Sequence, residues 1–134
     1  MKIALIGYGK MGKAIAEAIE IRNNQLGDKV FEIVQIIDIH NRSDFPITSL
    51  QEADVAIEFT SPHTAVDNIY WCFEAGVPVV VGSTGWTERL EEVRNYAIQH
   101  KKSFLFSPNY SLGVNIFFEL NRIMTRIFDA YPEY

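Results

Sequence analysis

Cysteine is nearly absent from this sequence. Cys72 stands alone among 134 residues, so no disulfide framework is available and a reducing, cytoplasmic setting is expected. Runs of basic residues are missing too. Twelve Lys/Arg against seventeen Asp/Glu leave a net charge of −5, which disfavours a nucleic-acid partner that needs its phosphates neutralised. Apolar runs stay at strand length, Val77–Val81 being among the longest, far below the ~20 residues of a membrane span. The N-terminus passes straight into Lys2-Ile3-Ala4-Leu5-Ile6-Gly7, without the apolar stretch and cleavage site of a secretory leader. Repeats, low-complexity tracts and Ser/Gly linkers are lacking. So are a Ser/His/Asp order for a nucleophilic triad and a His/Cys/Asp spacing for a metal, which leaves no catalytic residue and no metal ligand to name.

What is present is enough for one core. Apolar and aromatic residues make up 48% of the chain, and a domain of this size buries roughly two thirds of its unfolded surface. Short apolar runs at Lys2–Ile6, Phe31–Ile37, Val55–Phe59, Val79–Val81 and Phe104–Phe106 read as strands. Between them, Lys10–Asn24, Thr64–Ala75 and Glu88–His100 read as helices. A fourth helix is expected at about Asn115–Tyr131, where Ile116, Phe117, Leu120, Ile123, Met124, Ile127 and Phe128 fall on one face. Strands that are apolar throughout, alternating with helices, predict a doubly wound α/β domain: a mostly parallel sheet with helices on both faces. Gly27 and Gly76 are placed to end helices. Ser61-Pro62 reads as a cap followed by a first helical residue, and Thr87 as another cap. Between Asp38 and Asp54 only Ser49-x-x-Glu52 suggests a capping box and a single helical turn.

Gly7-Tyr8-Gly9-Lys10-Met11-Gly12 fits G-x-G-x-x-G between a strand and a helix, and the next strand ends on Asp38. In such a unit the first glycine permits the tight turn, the second lets main chain approach a pyrophosphate, and the third lets helix and strand pack closely. The free N–H groups at the helix start then hold the negative charge. A carboxylate at Asp38 would accept from the adenosine ribose and favour NAD; as a bare turn residue it would do nothing of the kind. Arg42, four residues on, would suit the 2′-phosphate of NADP, and His40 either that role or solvent. Tyr8 suits a stacking role over the cofactor or simple exposure.

Ligands of these sheets sit beyond the carboxyl ends of the strands. The later strand ends carry Phe59-Thr60-Ser61-Pro62-His63, Gly82-Ser83-Thr84-Gly85-Trp86 and Ser107-Pro108-Asn109-Tyr110-Ser111-Leu112-Gly113. Hydroxyls and an amide at Thr60, Ser83, Thr84, Ser107 and Asn109, with the rings of Phe59 and Tyr110, suit a neutral amide-bearing ring such as nicotinamide, although the same residues make ordinary turns. His63 and His100 read as helix-end surface residues, and Cys72, between Trp71 and Phe73, as core.

The phosphate loop, Ala56-Ile57-Glu58-Phe59-Thr60-Ser61-Pro62, Val81-Gly82-Ser83-Thr84-Gly85-Trp86 and Ser107-Pro108-Asn109-Tyr110-Ser111-Leu112-Gly113-Val114-Asn115 together resemble dihydrodipicolinate reductase, the 4-hydroxy-tetrahydrodipicolinate reductase of the diaminopimelate route to lysine. The resemblance implies hydride transfer from NADH or NADPH, with dual use possible. It implies that Gly7–Gly12 hold the pyrophosphate, Asp38 the ribose, and Phe59 and Thr60 the flank of the cofactor. Gly82, Ser83 and Thr84 would meet the nicotinamide, with Thr84 and Gly85 nearest the substrate. Ser107, Asn109 and Tyr110 would lie by the carboxamide. Three features depart from the family pattern: a phosphate loop one residue shorter than G-x-x-G-x-x-G, Ser83 for the first Thr of G-T-T-G, and Ser61 where some relatives carry Arg. The family's E-x-H-H-x-x-K-x-D-A-P-S-G-T segment, whose His pair and Lys serve protonation and substrate binding, does not occur in the sequence. The expectation is therefore one dinucleotide-binding domain over residues 1–134 that ends where a substrate domain would begin and binds cofactor without turnover. The family assembles as homotetramers; this half is expected to be monomeric, with a small-molecule cofactor as its partner and neither nucleic acid nor membrane. Two other readings stand beside it: a non-catalytic NAD(P)-binding sensor or partner module, and a different Rossmann oxidoreductase such as an amino-acid dehydrogenase.

Overall fold

The computed structural model describes residues 1–44 and 46–131 of the chain. Its strands are β1 (Lys2–Ile6), β2 (Glu32–Ile37), β3 (Val55–Glu58), β4 (Val79–Val81) and β5 (Phe104–Phe106). Its helices are α1 (Lys10–Leu26), α2 (Pro62–Ala75), α3 (Leu90–Gln99) and α4 (Leu112–Phe128). The strands form one parallel sheet in the order β2-β1-β3-β4-β5. From β1 the chain moves outward to β2, then returns across β1 to β3 and runs on to β5. The direction therefore reverses between β1 and β3, which makes the carboxyl ends of those two strands the crevice where such sheets take ligands. α2 and α3 share one face of the sheet, and the general right-handedness of parallel crossovers assigns α1 to the other, in keeping with a doubly wound fold.

The two faces are not equally closed. On the α2–α3 face, Ala4, Ile6, Ala56, Val79 and Val81 pack with Ala65, Val66, Ile69, Cys72 and Phe73 of α2 and Val93 and Ala97 of α3 in one buried cluster. Leu50, from the crossover between β2 and β3, completes it. Fully burying each such side chain contributes about 1.5–3 kcal/mol for the larger ones. The alternate residues of the same strands look the other way. Ile3 and Leu5 are buried there, but Ile57 and Val80 are only half-buried and Leu105 is exposed. Within α1 only Gly12 is buried. Every residue of α4 is exposed, its apolar stripe included.

The element boundaries shift where local chemistry differs from the sequence expectation. The helix expected from Asn115 starts at Leu112, because Ser111 caps it by accepting from the Val114 amide. Thr87 is not a cap: residues Thr87–Arg89 form a 3-10 turn flanked by Trp86, and α3 follows from Leu90. The cause lies in Trp86, which is buried with its indole N–H donating to the Ser83 carbonyl at 2.8 Å and so sets the direction of the chain. Ser61 does precede Pro62 at the start of α2, but its hydroxyl pairs with that of Thr64 and caps no amide. The proposed capping box likewise fails, since Ser49 lies inside a 3-10 helix, Ile47–Glu52, and its amide donates to the Pro46 carbonyl. Gly27 and Gly76 end α1 and α2 as expected. Residues 132–134, the end of the expected domain, lie outside the described residues.

Candidate functional site

The loop after β1 is built from main chain. The Gly7 amide donates to the Ile37 carbonyl at 2.7 Å, which ties the loop to the end of β2. Gly7 has φ +99°, and a Cβ there would collide with the Phe59 carbonyl oxygen. A Cβ at the buried Gly12 would collide with the Gly7 carbonyl oxygen. Loop, helix start and β3 end are thus packed without room for a methyl group. Gly9 is the exception. It flanks the first turn of α1, is exposed, and a Cβ there would meet no atom within 4 Å. No side chain caps α1, and its first turn carries no acidic residue. The amides and positive dipole end at Gly9, Lys10 and Met11 therefore face open space, as an anion would need.

That space continues into a cavity of about 370 Å³ between the ends of β1, β2 and β3. Gly7, Tyr8 and Gly9 line one side, Asp38, Ile39, His40 and Arg42 the second, and Phe59, Thr60, Ser61 and Thr64 the third. Asp38 does start a turn: its Oδ1 accepts from the His40 amide at 2.8 Å, while its own amide donates to Asn41 Oδ1. Its Oδ2 has no hydrogen-bond partner among the described residues, so the turn uses only one of the two carboxylate oxygens. Arg42 is held on α2. Its Nε donates to Asn68 Oδ1 at 3.2 Å, a terminal nitrogen lies 3.7 Å from Asp67, and the guanidinium sits 4.4 Å from the centre of the Trp71 ring.

The remaining expected residues form a second group beside this cavity. The Phe59 ring covers Gly82 so closely that a Cβ at Gly82 would enter the ring, and Tyr110 tilts against the other side of Phe59 with ring centres 6.2 Å apart. The Tyr110 hydroxyl donates to the Val81 carbonyl at 3.0 Å, and burial pushes its pKa above the usual phenol value. Ser107 Oγ donates to the Asn109 carbonyl. Asn109 Nδ2 is buried without a partner among the described residues. Thr84 and Gly85 are exposed, and Ser83 is buried. The hydroxyls of Thr60, Ser83 and Ser107, expected to be offered to a ligand, are instead bonded within the protein.

Ser107 bonds to the Asn109 carbonyl, while Thr60 and Ser83 share a partner that the sequence did not single out. Glu58, at the end of β3, is fully buried, and its Oε1 accepts from the Thr60 amide and hydroxyl, from Ser83 Oγ at 3.0 Å and from Asn68 Nδ2 at 3.4 Å. The available signal was a lone carboxylate inside the apolar run Val55–Phe59. Behind it, burial and then the nearby Glu58 charge push the Cys72 thiol from 9.0 up to about 12, so this cysteine is unreactive core. His63 is exposed at the start of α2, and His100 closes α3 with its ring 4.1 Å from that of Tyr96. A wider groove of about 880 Å³ between α1 and β2 meets the rim at Tyr8 alone among these residues. Among the described residues, no His/Cys/Asp/Glu group is arranged to hold a metal, and no helix is long and apolar enough to cross a membrane.

The family model described as dihydrodipicolinate reductase, N-terminus, matches residues 1–110, which hold β1 through β5 and the loops just described. The chain belongs to this family. Among dihydrodipicolinate reductase relatives, the 4-hydroxy-tetrahydrodipicolinate reductase of Christiangramia forsetii is 38% identical over the whole of this chain and 52% of its own length. That of Dictyoglomus turgidum is 35% identical over 96% of this chain and 53% of its own. The chain thus spans about half the length of the curated relatives it matches. A dipicolinate-bound dihydrodipicolinate reductase from Paenisporosarcina sp. TG-14 shares the fold, with a TM-score of 0.65 and 24% identity over 84% of this chain and 49% of that one. A scyllo-inositol dehydrogenase from Lactobacillus casei shares it more distantly, with a TM-score of 0.52 and 15% identity over 80% of this chain and 36% of that one.

Proposed function

We propose that this chain is the nicotinamide-nucleotide-binding part of a 4-hydroxy-tetrahydrodipicolinate reductase and holds NADH or NADPH along the rim of the sheet. The observation that carries this reading is the uncapped start of α1, with open space over Gly9 leading into the cavity bounded by Asp38. Those residues fit a dinucleotide: Gly7–Gly12 for the pyrophosphate, Asp38 for the adenosine ribose, and Phe59 with Gly82–Thr84, Asn109 and Tyr110 for the nicotinamide end. When bound, the nicotinamide supplies the hydride.

Two finer statements follow from the same geometry. The free Asp38 Oδ2 suits a 2′-hydroxyl, and Arg42 is engaged by Asn68, Asp67 and Trp71, so the reading favours NADH over NADPH. The titratable groups lining the cavity, Tyr8, Asp38, His40 and Arg42, gather at the phosphate and adenosine end. At the other end the Tyr110 hydroxyl stays protonated and bound to main chain. The chain alone is therefore a binding platform without an acid for the reaction. The test is a paired assay on the purified chain. Fluorescence titration should show saturable NADH binding, tighter than NADPH, while incubation with 4-hydroxy-tetrahydrodipicolinate leaves NADH unoxidised. No binding of either nucleotide would remove the reading, and measured turnover would remove its last clause.

A further inference from the structure

Glu58 is an expensive choice for its position. A fully buried carboxylate loses its hydration, and neutral packing there would be cheaper unless the group organises its surroundings. Its hydrogen bonds show what it organises. Thr60 belongs to the loop after β3, Ser83 to the loop after β4, and Asn68 to α2, yet all three donate to the single oxygen Oε1. The Thr60 amide also donates to Ser83 Oγ at 2.7 Å, which locks the two loops to each other. Asn68 passes the connection on, accepting from Arg42 Nε and donating to Thr60 Oγ1 at 3.1 Å. Trp86 holds the Ser83 carbonyl from the opposite side.

We infer that Glu58 is a positioning residue that fixes the Phe59–Thr60 and Gly82–Thr84 segments as one unit, and so sets the nicotinamide end of the site without touching the cofactor. This rests on the nucleotide-binding reading above. The phosphate loop has its own tie to β2, the Gly7 amide on the Ile37 carbonyl, and meets the Phe59–Thr60 segment only by packing at Gly7, so loss of Glu58 acts mainly on one end of the ligand. Gln at this position keeps a carbonyl acceptor for the same donors. Met keeps the length and removes the acceptor.

The experiment is calorimetric titration of the chain with NADH and, separately, with ADP, which carries only the adenosine and diphosphate half. Glu58→Met should weaken NADH binding about tenfold or more while moving ADP less than about threefold, since the acceptor shared by Thr60, Asn68 and Ser83 is lost. Glu58→Gln should restore both affinities to within about threefold of the parent. Ser83→Ala, which removes one donor from Oε1, should weaken NADH about threefold with ADP unchanged. Equal loss of NADH and ADP in a folded Glu58→Met chain would reduce Glu58 to a general structural residue and overturn the inference, as would parent-like NADH binding. If Glu58→Met does not fold, Ser83→Ala decides, and unchanged NADH affinity there overturns it. Failure of the parent chain to bind either nucleotide would instead refute the reading on which the inference rests.

Discussion

The two ends of the rim are made by different means. The end proposed for the phosphates is main chain and absence: three glycines within six residues, a helix start without a capping side chain, and open space over Gly9. The end proposed for the nicotinamide is buried side chains from distant segments, Glu58, Asn68 and Ser83, beside Phe59, Gly82 and Tyr110. An anion site requires donors that the fold leaves free, which a helix terminus provides locally. A site for a flat neutral ring requires shaped walls, and walls need tertiary support. Damage should therefore weaken NADH and ADP alike at the first end and NADH alone at the second.

The largest effect is expected from Gly12→Ala, because the new methyl group meets the Gly7 carbonyl oxygen and must push α1 from the loop. Overpacking of this kind costs about 1–3 kcal/mol, read as a fall in Tm, and nucleotide binding should disappear with it. Gly9→Ala separates the two consequences. Its Cβ meets nothing in the protein, so Tm should hold to within about 0.5 kcal/mol of stability, while NADH and ADP both weaken about tenfold as the methyl group occupies the approach to the amides. Next comes Gly82→Ala, which displaces the Phe59 ring. NADH affinity should fall several-fold with ADP little changed, and equal effects on both would erase the distinction between the ends. Asp38→Ala should weaken NADH about tenfold and NADPH less, so that the ratio of the two dissociation constants moves toward one. An unmoved ratio would take Asp38 out of the site.

The smallest effect is an alkaline one. The folded-state pKa of Cys72 is raised from 9.0 to about 12, so the folded chain holds this proton over a range in which the unfolded chain releases it. The associated stability is complete below pH 9 and is lost as pH rises from there toward 12. Denaturant melts of Cys72→Ala should show a shallower decline above pH 9 than the parent, by up to about 1.4 kcal/mol per pH unit. Parallel declines would mean that the thiol titrates alike in both states.

The same contrast explains what the sequence made legible. The β1 and β4 boundaries rest on local patterns and fall where the sequence predicts them, and Gly7, Gly9 and Asp38 line one cavity. The β2–β3 crossover was not readable as the 3-10 segments Arg42–Asp44 and Ile47–Glu52, because Leu50 is held by tertiary burial and not by a capping pattern. Thr87 lost its expected cap role to the burial of Trp86, whose ring packs on Phe106 twenty positions further along the chain. Glu58 looked like a lone charge in a strand, since its donors come from Thr60, Asn68 and Ser83, which no local window joins. In α4 the periodicity correctly announced an apolar face, but periodicity does not say what covers it, and every residue of that helix is exposed.

The account turns on an open anion site at the start of α1, and one titration reaches it directly. Calorimetry of the parent chain and Gly9→Ala with NADH, beside their melting curves, should give one bound nucleotide per parent chain and a clearly weaker complex for the variant at unchanged Tm. Equal affinity in the two chains, or no binding heat in the parent, would contradict it.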